Sequence, residues 1–145
     1  MTAPFTLRRA GPRDLDRLAA ADRRLAPDGP HRRHIGELLA SELSWAAIAD
    51  GTAVGFAIVS RHFYGFPFID LLIVSEDRRR GGIGSALMDR CVAAAEADRV
   101  FTSTNESNAP MRRLLDKAGW RPAGSLLYLD PGDPELVFVK LKEPA

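Results

Sequence analysis

Asp70-Leu-Leu-Ile-Val-Ser-Glu-Asp-Arg-Arg-Arg-Gly-Gly-Ile-Gly-Ser-Ala-Leu87 changes character twice. Its first part belongs to an apolar run, Phe68 to Val74, the pattern of a central strand covered on both faces. Its middle is rich in arginine and glycine. Its last part opens an apolar stripe at helical spacing, Ile83, Leu87, Cys91, Ala94 and Ala95, so a long helix starts near Gly82. Strand, glycine-rich loop and helix in that order make an anion site. The first amides of a helix lack partners and sit at the positive end of its dipole. Gly81, Gly82 and Gly84 let an anion approach the main chain, with Ile83 and Ser85 in the same turn. Arg79 and Arg80 add charge and donors suited to phosphate.

Three phosphate-binding patterns compete for this loop. The Walker A pattern needs a lysine before Ser/Thr, and the loop has none. The dinucleotide pattern Gly-x-Gly-x-x-Gly/Ala would start at Gly82 and needs a small residue where Leu87 stands; it also wants an early first strand and an acidic residue farther on. The remaining pattern, Arg/Gln-x-x-Gly-x-Gly/Ala, is met by Arg79-Arg80-Gly81-Gly82-Ile83-Gly84. A plain glycine turn capping a helix is the alternative, and the preceding strand and the arginines weigh against it.

Upstream, Phe5 to Arg9 reads as a short strand broken by Gly11-Pro12. Leu15, Leu18, Ala19 and Leu25 give a helical stripe, and Pro27-Asp28-Gly29-Pro30 breaks it. A second helix carries Ile35, Leu38 and Leu39. Trp45 to Ala49 and Val54 to Phe63 form a hairpin across Asp50-Gly51. Tyr64-Gly65-Phe66-Pro67 turns into the central strand. Downstream, Val100 to Thr102 is a short strand. Asn108 caps a helix with Pro110 just inside, Met111, Leu114, Leu115 and Ala118 on its apolar face, and Gly119 at its end. Leu126 to Leu129 and Leu136 to Leu141 form a final hairpin across Pro131-Gly132-Asp133-Pro134. The order is β-α-α-β-β-β-α-β-α-β-β. It predicts a mixed α+β fold over residues 1–145, a single domain with a mostly antiparallel sheet of about seven strands and four helices.

The chain has 145 residues, 46% hydrophobic and 27% charged, enough for one core without staples. A net charge of +1 gives no nucleic-acid footprint. The single cysteine, Cys91, precludes an intrachain disulfide. The N-terminus lacks the regions of a signal peptide, and no run approaches the ~20 apolar residues of a membrane span. These features predict a soluble cytoplasmic protein, with no membrane partner.

At Arg79 to Gly84 the chain resembles the GNAT superfamily of coenzyme A-dependent N-acyltransferases, and the order of elements extends the resemblance over nearly its whole length. The family's second motif, Asn-x-x-Ala-x-x-Leu-Tyr-x-Lys-x-Gly-Phe, reads here Asn108-Ala-Pro-Met111-Arg-Arg-Leu114-Leu115-Asp-Lys117-Ala-Gly119-Trp120. Asn108, Leu114, Lys117 and Gly119 match, Trp120 replaces a phenylalanine, and Met111 and Leu115 depart. The resemblance implies acetyl-CoA as cofactor, with Arg79, Arg80, Gly81, Gly82, Ile83, Gly84 and Ser85 on its pyrophosphate. It also implies a splay between the fourth and fifth strands, where the Leu72, Ile73 and Val74 backbone would bond the pantetheine. Asn105 and Asn108 are candidates to bond cofactor or acceptor, against capping and turn formation.

The reaction implied is direct attack of an amine on the thioester in a ternary complex. No nucleophilic side chain is required, and Cys91 reads as core. Asp70, alone among apolar residues, falls where many family members carry a catalytic glutamate and is the candidate general base. The competing reading pairs it across the strands with Arg61. The motif tyrosine that protonates the leaving thiolate is Leu115 here. Tyr128 is the candidate acid, against burial with its hydroxyl bonded elsewhere. His31 and His34 are spaced for a shared metal but lack a third ligand, so no metal site is expected. Glu106 and Glu135 are weighed as attractants for a cationic acceptor.

The expected acceptor is a small-molecule amine or a peptide N-terminus. A non-catalytic acyl-CoA sensor or scaffold of the same fold is the alternative, and a toxin acetylating charged tRNA is disfavoured by the charge. An exposed edge strand would permit a homodimer.

Overall fold

The computed structural model describes residues 4–29, 31–41 and 43–142; Pro30 of the predicted break lies outside them. The strands are β1 (Thr6–Arg9), β2 (Leu43–Ala49), β3 (Thr52–Phe63), β4 (Phe66–Val74), β5 (Arg99–Asn105), β6 (Arg121–Leu126) and β7 (Glu135–Leu141). The α-helices are α1 (Leu15–Leu18), α2 (Arg32–Ser41), α3 (Ile83–Ala94) and α4 (Ala109–Lys117). They build one seven-stranded sheet in the order β1-β2-β3-β4-β5-β7-β6. Among the described residues, β4 and β5 form the parallel pair and the other pairs are antiparallel. Among the described residues no helix is long and apolar enough to cross a membrane.

Two tight turns set the registers of the front half. Asp50 and Gly51 both have positive φ, 52° and 74°, the type I′ geometry that suits strand twist. Tyr64 and Gly65 repeat it with φ of 55° and 82°. The second turn is shorter than the predicted four-residue one. Phe66 already pairs with Phe63, and Pro67 is buried inside β4.

The sheet buries a core on each face. On one side α3 and α4 pack through Ile83, Leu87, Met88, Cys91 and Leu115 against Ala57, Val59, Ile69, Val100 and Phe138. On the other, α1 and α2 bring Leu18, Ile35, Leu38 and Leu39 against Ala46, Phe56 and Ile58.

Three predicted elements are corrected. The stripe from Leu15 to Leu25 is not one helix: α1 ends at Leu18, and a separate 3-10 turn covers Arg23–Leu25. Asp22 sits between them in extended backbone, and its carboxylate accepts from the Arg24 amide, a bond an aspartate makes only outside a helix interior. The fifth strand spans Arg99–Asn105, not three residues, so Ser103 to Asn105 belong to the strand and not to the loop after it. The sixth strand is Arg121–Leu126, not Leu126 to Leu129. It is an edge strand, where Pro122 and Gly124 are tolerated, with Ala123 as a bulge opposite β7. The apolar Leu127, Tyr128 and Leu129 lie exposed in the following loop.

Candidate active site

The site begins where β4 and β5 part. Phe68 pairs with Phe101 and Ile69 with Thr102, and there the parallel ladder ends. The Thr102 hydroxyl closes it, donating to the Ile69 carbonyl at 3.0 Å. Beyond that point β4 stays with β3 while β5 stays with β7. Ser75 donates its amide to Val54 at 2.9 Å, so antiparallel alternation turns the Ile73 main chain towards β3. Leu72 and Val74 therefore present their amides and carbonyls to the opening between β4 and β5.

At the end of β4 the chain makes a 3-10 turn over Glu76–Arg78 and enters the glycine-rich loop. Arg80 and Gly82 both have positive φ, 69° and 83°, and Gly82 is the N-cap of α3. No side chain caps that helix. Its first intrahelical bond runs from the Ala86 amide to the Gly82 carbonyl, which leaves the Ile83, Gly84 and Ser85 amides at a free helix start. The contrast with α4 is direct: there the Asn108 carboxamide oxygen accepts from the Met111 amide at 3.3 Å.

The loop, the opening and the face of α4 enclose one cleft of about 910 Å³. Of the residues singled out for a cofactor, Leu72, Ile73, Val74, Arg79, Arg80, Gly82, Ile83, Gly84, Ser85 and Asn108 line it. Gly81 sits in the loop but is not part of the lining. Asn105 does not line it either: its side chain donates to Asp130 at 2.8 Å and ties β5 to the loop before β7. Asn108 both caps α4 and lines the cleft, with its amide nitrogen donating to Thr104 at 3.0 Å. Arg79 donates to the Val74 carbonyl at 3.4 Å. Sequence reasoning missed Arg78, Arg113 and Lys117 as cleft residues; the spacing of 113 and 117 along α4 was the available signal.

Asp70 lies at the fork itself, half-buried. Ile58 pairs with Leu71 and Val59 with Ile69, so Asp70 is the extra residue of a β-bulge. It is not opposite Arg61, which is exposed and donates to the Glu96 carbonyl at 3.5 Å. The predicted cross-strand pair fails because a bulge adds a residue that the turn length does not reveal. Asp70 does not line the large cleft. Its neighbour Leu71 packs with the α1 and α2 side of the sheet and Leu72 with the α3 and α4 side. The fork thus joins the two faces.

Tyr128 is 94% exposed with φ of 74°, away from the cleft lining, which corrects the expectation of a buried hydroxyl. Leu115, at the motif tyrosine position, is fully buried in the core. His31 and His34 are exposed. Glu135 accepts from the Ser103 hydroxyl at 2.6 Å.

Cys91 is fully buried among the α3 core residues, and burial pushes its thiol up to about 12. At neutral pH it is almost wholly protonated and inert. A disulfide reagent is expected to leave the native protein unlabelled over minutes at pH 7.5 and to titrate one thiol after denaturation. Rapid native labelling would mean that α3 opens.

The Acetyltransferase (GNAT) family profile matches residues 13–120. No curated protein matches the chain by sequence. Solved structures do. An acetyltransferase of the GNAT family from Bacillus cereus is 27% identical, with a TM-score of 0.88 over 98% of this chain and 100% of that one. The ribosomal-protein-S18-alanine N-acetyltransferase of Escherichia coli is 17% identical, with a TM-score of 0.83 over 98% and 96% of the two chains. Arabidopsis thaliana NAA60 in complex with acetyl-CoA is 22% identical, with a TM-score of 0.78 over 95% and 99%. The two below a quarter identity share the fold. With the family profile spanning both the glycine-rich loop and the α4 motif, the chain belongs to the GNAT family of acetyltransferases, whose acyl donor is acetyl-CoA.

Proposed function

We propose that this protein is an N-acetyltransferase that moves an acetyl group from acetyl-CoA to a primary amine on a small molecule or a peptide N-terminus, in the cytoplasm. The observation that carries the reading is the uncapped start of α3 facing a cleft lined by arginines and no carboxylate. A diphosphate suits such a place: the Ile83, Gly84 and Ser85 amides donate to it and Arg79 and Arg80 balance its charge. Leu72 and Val74 offer the hydrogen-bonding edge of a strand to an extended amide chain, as a missing neighbour strand would use it. The bound donor supplies a thioester carbonyl for the amine to attack.

The acceptor approaches from the other face of the fork. An alkylammonium with a pKa near ~10.4 must lose a proton first, and Asp70, at the fork, takes it directly or through water. The thiol pKa near ~8.5 makes the leaving group tolerable without a side-chain acid, which fits Leu115 in place of the motif tyrosine.

Incubation with acetyl-CoA and a panel of amines and N-terminal peptides tests the reading. The expected result is release of free coenzyme A matched one-for-one by acetylated acceptor in the mass spectrum. Tight donor binding with no release across the panel would favour the sensor instead.

A further inference from the structure

The parallel contact between β4 and β5 is short, Phe68 with Phe101 and Ile69 with Thr102. Thr102 stands at its last step. Along β5 the buried side chains alternate with half-buried ones, and Val100, Thr102 and Thr104 form the buried set. Thr102 lies opposite Phe138 of β7, so the two side chains share the face that packs under α3 and α4. Only 2% of Thr102 is exposed. An apolar residue of the same shape would serve the packing, as Val100 does two positions earlier. A hydroxyl in such a place costs free energy unless it is bonded. This one donates across the strands to the Ile69 carbonyl oxygen at 3.0 Å.

That carbonyl belongs to the peptide unit whose nitrogen is the amide of Asp70. A peptide unit is planar, so holding its oxygen also orients the Asp70 N–H and the start of the Asp70 side chain. The hold falls at a sensitive place. Against β3 the register steps from Ile69 opposite Val59 to Leu71 opposite Ile58, and Asp70 is the residue that the bulge adds. A bulge re-aims the side chain it carries, in a direction set by the peptide planes on either side. One of those planes is pinned by a hydroxyl 33 residues farther along the chain. Precision matters there, because a misplacement of about 1 Å costs a positioned reaction on the order of 100-fold.

We propose that Thr102 is a positioning residue for the reaction: its hydroxyl holds the Ile69–Asp70 peptide at the angle that brings the Asp70 carboxylate to the acceptor amine. The proposal rests on the reading of Asp70 as the base. Thr102 is not part of the cleft lining, so its effect is exerted through Asp70.

Thr102→Val keeps the shape and deletes the hydroxyl, whereas Thr102→Ser keeps the hydroxyl and deletes a buried methyl. The valine variant is expected to lose roughly 10- to 100-fold in kcat, with coenzyme A affinity by calorimetry within about twofold of wild type. Its rate should also rise more steeply with pH than the wild-type rate, towards the slope of Asp70→Asn. The serine variant should recover kcat to within about threefold of wild type in spite of its poorer packing. Thr102→Ala, which lacks both groups, should behave as valine does. A double-mutant cycle identifies the route: in the Asp70→Asn background the valine substitution is expected to change kcat by less than about twofold. Retained activity in Thr102→Val, a serine variant as impaired as valine, or an equal loss with and without the Asp70 carboxylate would each overturn the positioning role and leave the base reading standing on Asp70→Asn alone. Full activity of Asp70→Asn would remove the base reading and the role of Thr102 together.

Discussion

Gly82→Asp is expected to weaken coenzyme A binding by roughly 100-fold or more, whereas Gly82→Asn keeps the affinity within about fivefold. The pair separates charge from backbone. Gly82 has φ of 83°, so any side chain there strains the loop, but aspartate and asparagine visit this conformation at similar, modest cost. A β-carbon at 82 meets no atom within 4 Å, so neither residue is excluded by bulk. What differs is one negative charge at the start of α3. At ~5 Å from a diphosphate charge and an effective dielectric near ~20, the repulsion is about 3 kcal/mol, or roughly 100-fold in affinity. Calorimetry gives the affinities, and a thermal melt gives the control, since the two variants should unfold within a few degrees of each other. Equal affinities for the two would mean that the diphosphate lies elsewhere.

Gly84 offers an independent check by a different cause. Its β-carbon would stand 3.2 Å from Leu114 Cδ2 and 3.6 Å from Val74 Cγ2, so a side chain there enters the gap between α3, α4 and β4. Gly84→Asp combines that crowding with the charge, and binding is expected to fall below detection by the same titration.

Much of this site was legible because its signals are local. An unbroken apolar run, a cluster of glycines and a helical stripe follow one another from Phe68 to Leu87, and each is read within a few residues. The hairpin at Asp50-Gly51 is equally local. What escaped the sequence was set by neighbours far along the chain. The edge strand Arg121–Leu126 has no apolar alternation, because β7 on one side is all it needs for a ladder. The apolar Leu127 to Leu129 looked more like a strand and is loop. Arg113 and Lys117 read as surface charge on α4 until the fold turns that side of the helix to the glycine-rich loop. The register of Asp70 was misjudged for a subtler reason. One inserted residue in β4 breaks the count from the Tyr64-Gly65 turn, and no feature of residues 58–71 announces it.

That bulge makes Asp70→Asn the more telling of the catalytic variants. A regular strand would send the residue after Ile69 back into the ladder; the bulge leaves it at the fork, beside the point where β5 departs. Asparagine has the same shape as aspartate and removes only the charge. The expected result is a fall in kcat of roughly 100- to 1,000-fold, the range for loss of a general base, with coenzyme A affinity unchanged within about twofold. The pH profile supplies the sharper test. An acceptor amine of pKa ~10.4 is neutral in only about one molecule in a thousand at pH 7.5, and that fraction rises about tenfold per pH unit. Without a base the variant depends on that neutral fraction, so its rate should climb about tenfold per unit towards pH 9.5. The wild-type rate should climb more slowly over the same span, and the two should converge at high pH. A variant with full activity at pH 7.5, or two profiles that stay parallel, would strip Asp70 of the proton and leave the amine to shed it to water before it binds.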